Sequence, residues 1–507
     1  MPTPDLPAEL WLEIIAHLSR GALHKMMGVN RTLFELAMDD IYEEVRFISI
    51  DEEMLRVFQQ IQSRVVANRV RRFIIQPDFL PSLEEQTPVI RFWKILQTKP
   101  LRPNDPETSK AILSIAERAI PLCKNLQEIE IIVYDLSLTP SFNSFINSLW
   151  KADSVGLNLR SLLIKTTMVK IAPIIRPLIK SFKSLPKLEN ISLDISPSRK
   201  GLSPAEYDIA IGTLKSFFIA FKGNLKAIKL SSPPDLRRSL ASLLGGTLAF
   251  PNLRKLEVLS VFTLEFQSIS RCVTNHADTL EHLSIKLCYR NADNLNMGYG
   301  NWINPPANYH GSTLFRWITL PKLRTLKIAL QESDRFALGT AIDARTFTIL
   351  PNLSTFAPSI TSIILSDLPL SFRRISDLVS GLSRGDILEN LSLMATTLSP
   401  SLFDLFALKL PDLKTLTVDF IWTSDTECYT GGGYNTPHTH KLFLQTMQTH
   451  RYTKWPLQYL RLTTIDPACG ASHPKPSIMR AVADSLPSGV QLDYSYACFC
   501  SKAFNDS

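Results

Sequence analysis

Nine histidines and seven cysteines are the side chains of this 507-residue sequence best suited to metal or nucleophilic chemistry, and their spacing decides what they can do. His438 and His440 with Cys428 form half of a metal set, and Cys469, His473, Cys498 and Cys500 form a second, looser one. Structural zinc needs two tight pairs at tolerated spacing, which neither set supplies. Gly431-Gly432-Gly433 lacks the Lys-Ser/Thr that follows a phosphate-cradling loop, and no Gly-x-Ser-x-Gly elbow occurs. The carboxylate pairs Glu52-Glu53 and Glu84-Glu85 sit in polar stretches, with no apolar pocket to drive their pKa values apart. The expectation is a non-catalytic protein with no cofactor and no metal, whose function lies in surfaces.

The first such surface is Leu6-Pro7-Ala8-Glu9-Leu10-Trp11-Leu12-Glu13-Ile14-Ile15-Ala16-His17-Leu18. Pro7 suits a first helical position, where its missing N–H forfeits nothing. Glu9 falls in the first turn, against the positive end of the helix dipole. Leu10, Ile14 and Leu18 recur on one stripe, with Trp11 and Ile15 on a second beside it. So short a segment cannot bury two adjacent stripes, so one of them is expected to be completed by another chain. Leu23, Met26, Met27, Val29, Leu33, Phe34, Leu36 and Ala37 continue with helical spacing through Asn30-Arg31 to Asp39-Asp40.

With its Leu-Pro opening, Glu-Leu followed by Ile at four-residue spacing, Val29-Asn30-Arg31 step and Tyr42-Glu43 exit, the stretch from 5 to 47 resembles an F-box. The resemblance implies a trio of helices that docks on the Skp adaptor and, through it, a cullin-RING scaffold. The adaptor-binding residues it implies are Leu6, Pro7, Leu10, Ile14, Ile15, Leu18, Leu23, Val29, Asn30 and Leu33. Two features depart from the family pattern. Arg20-Gly21-Ala22 stands where many F-boxes carry acidic residues, and Leu33 where many have an aromatic, with Phe34 one residue later. The alternative for these helices is a cap over the open end of a repeat array.

An apolar fraction of 45% and a charged fraction of 20% are those of an ordinary folded protein. A net charge of +8 is dilute over this length, and nucleic-acid binding has no other support. The densest basic cluster, Arg64, Arg69, Arg71 and Arg72, is expected to be a solvated face. Asp5, Glu9 and Glu13 interrupt any signal-peptide pattern, and the longest uncharged run, Thr346 to Ser366, holds two prolines and eight Ser or Thr. No membrane partner is expected. Seven scattered cysteines fit a reducing compartment, cytoplasmic or nuclear, better than a disulfide framework.

Beyond residue 48 the sequence repeats itself. An apolar residue, Pro, any residue and Leu recur at Leu185 to Leu188, Phe250 to Leu253, Leu320 to Leu323, Leu350 to Leu353 and Leu410 to Leu413. Each proline ends the preceding helix, and an alternating strand follows, as in Leu253-Arg-Lys-Leu256-Glu-Val258. The same form without proline begins at Leu126, Leu159, Leu225, Leu280, Leu388 and Leu457. Many units follow at 25 to 37 residues, a solenoid period, with helical text between strands at Ile209 to Phe221 and Phe262 to Ala277. The array resembles leucine-rich repeats. It departs from them eight residues after the leading Leu, where Cys288 fits but Gln331, Val261, Ile421 and Ile465 do not, so the backbone turns must be satisfied by other means.

The fold class expected is therefore α/β: a three-helix F-box-like module followed by an irregular leucine-rich-repeat-like solenoid with parallel strands and outer helices. The expected division is a module over 1–48, a linker and first irregular repeats over 49–120, the solenoid over 121–495 and a tail over 496–507. Two long intervals interrupt the period. One carries Asn291 to His310, with Tyr299, Trp302 and Tyr309; the other carries Thr423 to His440, with Tyr429, Tyr434 and His438. Insertions of this kind emerge on one face, and exposed aromatics are efficient contact residues, so these six are candidates for recognising an unknown substrate protein. The function expected is that of a substrate-recognition adaptor of a cullin-RING ubiquitin ligase. The alternative is a leucine-rich-repeat scaffold or sensor without a ligase.

Overall fold

The structure is a computed structural model, which describes residues 7–49, 51–77, 106–134, 136–151, 155, 157–196, 203–231, 240–245, 249–261, 266–288, 318–331, 356–382, 388–424, 437–466 and 476–498. The chain divides into two compact units, Met1–Pro233 and Pro234–Ser507. Both are built from one device. A leucine enters the core, and two residues later a parallel strand begins, as after Leu126, Leu159, Leu225, Leu253, Leu280, Leu323, Leu388, Leu413 and Leu457.

In the first unit, helices α1 (Ala8–Ala16), α2 (Arg20–Lys25) and α3 (Arg31–Tyr42) precede strand β1 (Glu44–Phe47). Next come α4 (Glu52–Ile61), α5 (Arg64–Ala67), β2 (Arg72–Ile75), α6 (Pro106–Ala119), β3 (Glu128–Ile132), α7 (Pro140–Lys151) and β4 (Ser161–Thr167). The unit ends with α8 (Ile171–Lys180), β5 (Asn190–Ser196), α9 (Pro204–Phe221) and β6 (Ala227–Ser231). The six strands pair in chain order, all parallel. Register aligns their apolar positions into two buried rows, Val45-Phe73-Ile129-Leu162-Ile191-Ile228 and Phe47-Ile75-Ile131-Ile164-Leu193-Leu230. Because side chains alternate across a strand, these rows share one face, and a single-residue slip would turn them outward. Residues 44–47, grouped by sequence with the helical module, are thus the first strand of the sheet.

The second unit repeats the plan with β7 (Lys255–Val261), α10 (Phe266–Asn275), β8 (His282–Cys288), β9 (Thr325–Gln331), β10 (Ser362–Leu370), α11 (Phe372–Leu382) and β11 (Asn390–Leu398). It continues with α12 (Pro400–Lys409), β12 (Thr415–Thr423), α13 (Pro437–Met447), β13 (Tyr459–Asp466), α14 (Pro476–Ser485) and β14 (Gln491–Cys498). These eight strands also pair in parallel and in order. β14 runs on to Cys498, past the tail boundary expected at 495.

The means by which several repeats satisfy their backbone is an asparagine placed before the strand. Asn125, Asn158 and Asn224 each precede a leading leucine, and their amides donate to Asn68, Lys124 and Pro186 carbonyls of the repeat before, at 2.7, 2.8 and 3.0 Å. One carbonyl per repeat then accepts two consecutive N–H groups from the next, as Arg71 does from Gln127 and Glu128, and Glu281 from Arg324 and Thr325. Buried backbone groups at the strand starts are paired by this ladder.

Candidate protein-docking site

α1 begins at Ala8, so Pro7 stands one residue before the helix instead of inside it; its carbonyl accepts from Leu10 and Trp11 at 3.1 and 3.3 Å. α2 is capped by Ser19, whose hydroxyl accepts from the Ala22 N–H at 3.3 Å. α3 is capped by Asn30, whose side chain accepts from the Leu33 N–H at 2.8 Å. Such caps fix where each helix starts and contribute about 1 kcal/mol each.

The two stripes of α1 part company. Trp11 and Ile15 pack with Met26 and Met27 against a small core of Leu23, Leu33 and Ala37. Leu10 and Ile14 face outward, 45% and 38% exposed. Of the 13 large apolar residues exposed among the described residues, six (Leu10, Leu12, Ile14, Val29, Phe34 and Ile41) belong to α1–α3 and the turn at Val29, which sets this module apart from the repeats. Phe34 and Ile41, seven residues apart, share one side of α3.

The residues named from sequence therefore separate into two roles. Leu10, Ile14 and Val29, with exposed Pro7, offer surface. Leu33, with 0% exposure, and Leu23 are core, so they shape the face from beneath; Ile15 supports it, Leu18 is half-buried, and Asn30 holds a helix start. Phe34, next to buried Leu33, is exposed. Leu6 lies outside the described residues. Sequence reasoning passed over Leu12, Phe34 and Ile41 as contact residues, although the seven-residue interval between the last two marks a common face.

Electrostatics hold the trio together and join it to the sheet. At the Arg20-Gly21-Ala22 departure, Arg20 and His24 of α2 both reach Asp40 of α3, at 3.2 and 3.0 Å. Arg69, its side chain only 11% exposed, donates to the carboxylates of Glu35 and Asp39 and, at 2.9 Å, to the Glu35 carbonyl. The guanidinium hydrogen bond holds the Glu35 carboxyl below its usual range. Tyr42 donates to Gln60 of α4 at 2.8 Å, and Phe47 meets Phe58 edge-on at 5.1 Å. α3 is thereby fastened to α4 and to the turn after α5, and β1 to α4.

The expected solvated face at Arg64 to Arg72 is overturned for two of its members. Besides the Arg69 clamp, Arg72 pairs with Glu44, Glu128 and Glu130 at 2.8 to 2.9 Å, and Lys165 meets Glu130 at 2.9 Å. Cations committed to carboxylates in this way have little left for a phosphate backbone.

Tyr299, Trp302, Tyr309, Tyr429 and Tyr434 lie outside the described residues, as do Cys428, Cys469, His473 and Cys500. Thr423 closes β12, and residues 437–440 open α13, so His438 and His440 stand on a helix where sequence placed a loop. His440 Nε2 is 3.1 Å from the Ser477 hydroxyl. No group of three His, Cys, Asp or Glu side chains able to hold a metal occurs among the described residues. The Cys123 and Cys272 thiols are buried, which pushes both up to about 12. No described helix is long and apolar enough to cross a membrane. Set against known proteins, the sequence matches no family model and no curated protein.

Proposed function

We propose that α1–α3 is an F-box-like module that docks on the Skp adaptor of a cullin-RING ubiquitin ligase, while the strand-and-helix repeats, of leucine-rich-repeat type, hold a substrate protein. The chain then acts as a substrate-recognition subunit. The chemistry belongs to other subunits, and this one contributes by raising the effective concentration of substrate near the ubiquitin donor.

One observation carries this reading: the apolar surplus of α1, with Trp11 and Ile15 packed inward and Leu10 and Ile14 turned out. An amphipathic helix whose second apolar face stays half-exposed among the described residues suits helix-in-groove recognition. The Arg69 clamp supports it, because a docking module can orient a substrate only if it is fixed to the part that holds the substrate. The test is capture of the purified chain on immobilised Skp adaptor. The chain is expected to be retained, and Leu10→Asp with Ile14→Asp to be lost while keeping the parent melting temperature. Failure of the parent chain to bind removes the ligase role and leaves the scaffold reading.

A further inference from the structure

The backbone ladder that joins the repeats also sets a row of side chains along one edge of the first unit. The Arg71 carbonyl accepts from Gln127 and Glu128, that of Gln127 from Arg160 and Ser161, that of Arg160 from Glu189 and Asn190, and that of Glu189 from Lys226 and Ala227. Arg71, Gln127, Arg160, Glu189 and Lys226 therefore hold the same place in successive repeats, one residue before β2 to β6, at a strand spacing of about 4.8 Å. Where opposite charges adjoin at this place, they pair. Glu189 meets Lys226 at 2.8 Å, and in the second unit Arg254 meets Glu281 at 3.5 Å and Lys414 meets Glu389 at 2.5 Å.

Arg71, Gln127 and Arg160 depart from that pattern. A neutral side chain separates two arginines whose backbones lie two strand spacings, roughly 10 Å, apart, and neither arginine has an ion pair among the described residues. Two lysines stand in the turns beside them. The Asn158 amide donates to the Lys124 carbonyl at 2.8 Å, and its side-chain oxygen accepts from Lys187 Nζ at 2.7 Å. One of the three Lys187 donors is thus used and two remain. All four cations are exposed. Glu43, one repeat before Arg71, and the paired Glu189, one after Arg160, bound the stretch at its two ends.

We propose that this edge is a docking surface for an extended acidic segment of a partner protein. Carboxylates three residues apart on an extended chain lie about 10 Å apart, which is the interval between Arg71 and Arg160. Each guanidinium offers a carboxylate two parallel N–H donors, Gln127 between them offers an amide to the intervening backbone, and Lys124 and Lys187 add charge. A nucleic-acid strand carries a charge at every nucleotide and would run onto Glu43 or Glu189, whereas a short acidic segment ends between them. Exposed ion pairs contribute little singly, so the affinity comes from the set and falls with salt.

None of these residues belongs to α1, so adaptor capture is read independently of this surface. The test is the anisotropy of a fluorescein-labelled peptide with Glu at every third position and Ser between, titrated with the full chain. Binding is expected on the order of 100 µM at about 50 mM salt, about tenfold weaker at about 200 mM, and absent for the same peptide with Gln in place of Glu. Arg71→Glu with Arg160→Glu is expected to weaken binding about tenfold or more, with the parent melting temperature kept because both sites are exposed. Arg373→Glu with Lys409→Glu, at exposed sites of α11 and α12, changes the net charge equally and is expected to bind as the parent does. A parent chain that does not bind the Glu peptide, two double variants that weaken alike, or a chain that binds oligouridylate as tightly as the Glu peptide overturns the inference.

Discussion

α1 and α4 are helices of nine and ten residues in the same unit, and they treat their outer sides differently. α4 buries Met54, Phe58 and Ile61 and shows Glu52, Glu53, Arg56, Gln59 and Gln60 to solvent, as a helix does when folding is its only task. α1 packs Trp11 and Ile15 inward and still shows Leu10, Leu12 and Ile14. Being about half-exposed, each of these Leu and Ile forgoes roughly half of the 1.5–3 kcal/mol that full burial would contribute. The fold asks for one apolar stripe from each helix, and α1 carries more than that.

The contrast breaks most severely at Leu33, beneath the outer face. Leu33→Asp puts an unpaired carboxylate in a fully buried site and is expected to unfold α1–α3, a loss of about 3–5 kcal/mol. Hydrogen exchange would show amides of 20–42 losing protection while those of β3 to β6 keep theirs. A smaller effect tests the attachment. Arg69→Ala removes the clamp on Glu35 and Asp39 and is expected to cost about 1–3 kcal/mol, read as faster proteolysis between α3 and β1 with the repeats intact. The Glu35 share of that clamp is fully present above the ordinary carboxyl value of 4.5 and is lost as pH falls below it.

The smallest effect lies in the repeats. His276 is buried; its Nε2 accepts from the Phe250 N–H at 2.8 Å, and its Nδ1 stands 2.6 Å from the Cys272 carbonyl, which fixes the neutral tautomer. Burial holds its pKa below the usual 6.5, so its contribution is complete above that pH and declines as pH falls beneath it. Between pH 7 and 5.5 the second unit is expected to lose more stability in the parent than in His276→Gln, by urea denaturation. The repeats and α1–α3 should thus weaken in different pH ranges.

The repeats were legible because their signal is local. Each leading leucine and the alternation after it set strand position and facing side, and ten strands start two residues after one. Strands β1, β2, β10 and β14 lack that signal because Tyr42, Val70, Ile360 and Gly489, the last with φ of 102°, stand where the leucine is expected. The turn-satisfying amides were missed because attention fell on the residue after the strand, while the Asn-Leu pair before it recurs at 125, 158 and 224. In α1–α3, periodicity gave both stripes of α1 but not which one faces inward. That depends on Met26, Met27 and Leu33 arriving from other helices, a tertiary choice. The Arg69 clamp spans 34 residues from Glu35, and such a pairing has no local signature; a cluster of arginines reads as solvated until its partners are placed.

The most direct measurement is titration of the Skp adaptor into the purified full chain, its Leu10→Asp/Ile14→Asp variant, and Leu408→Asp as a control from an exposed apolar site in the repeats. Binding is expected for the parent and the control. The double variant should lose about a hundredfold or more in affinity, as burial of two aliphatic side chains would require, with no change in melting temperature. Adaptor affinity equal in the parent and the double variant would contradict the assignment of α1 as the docking face.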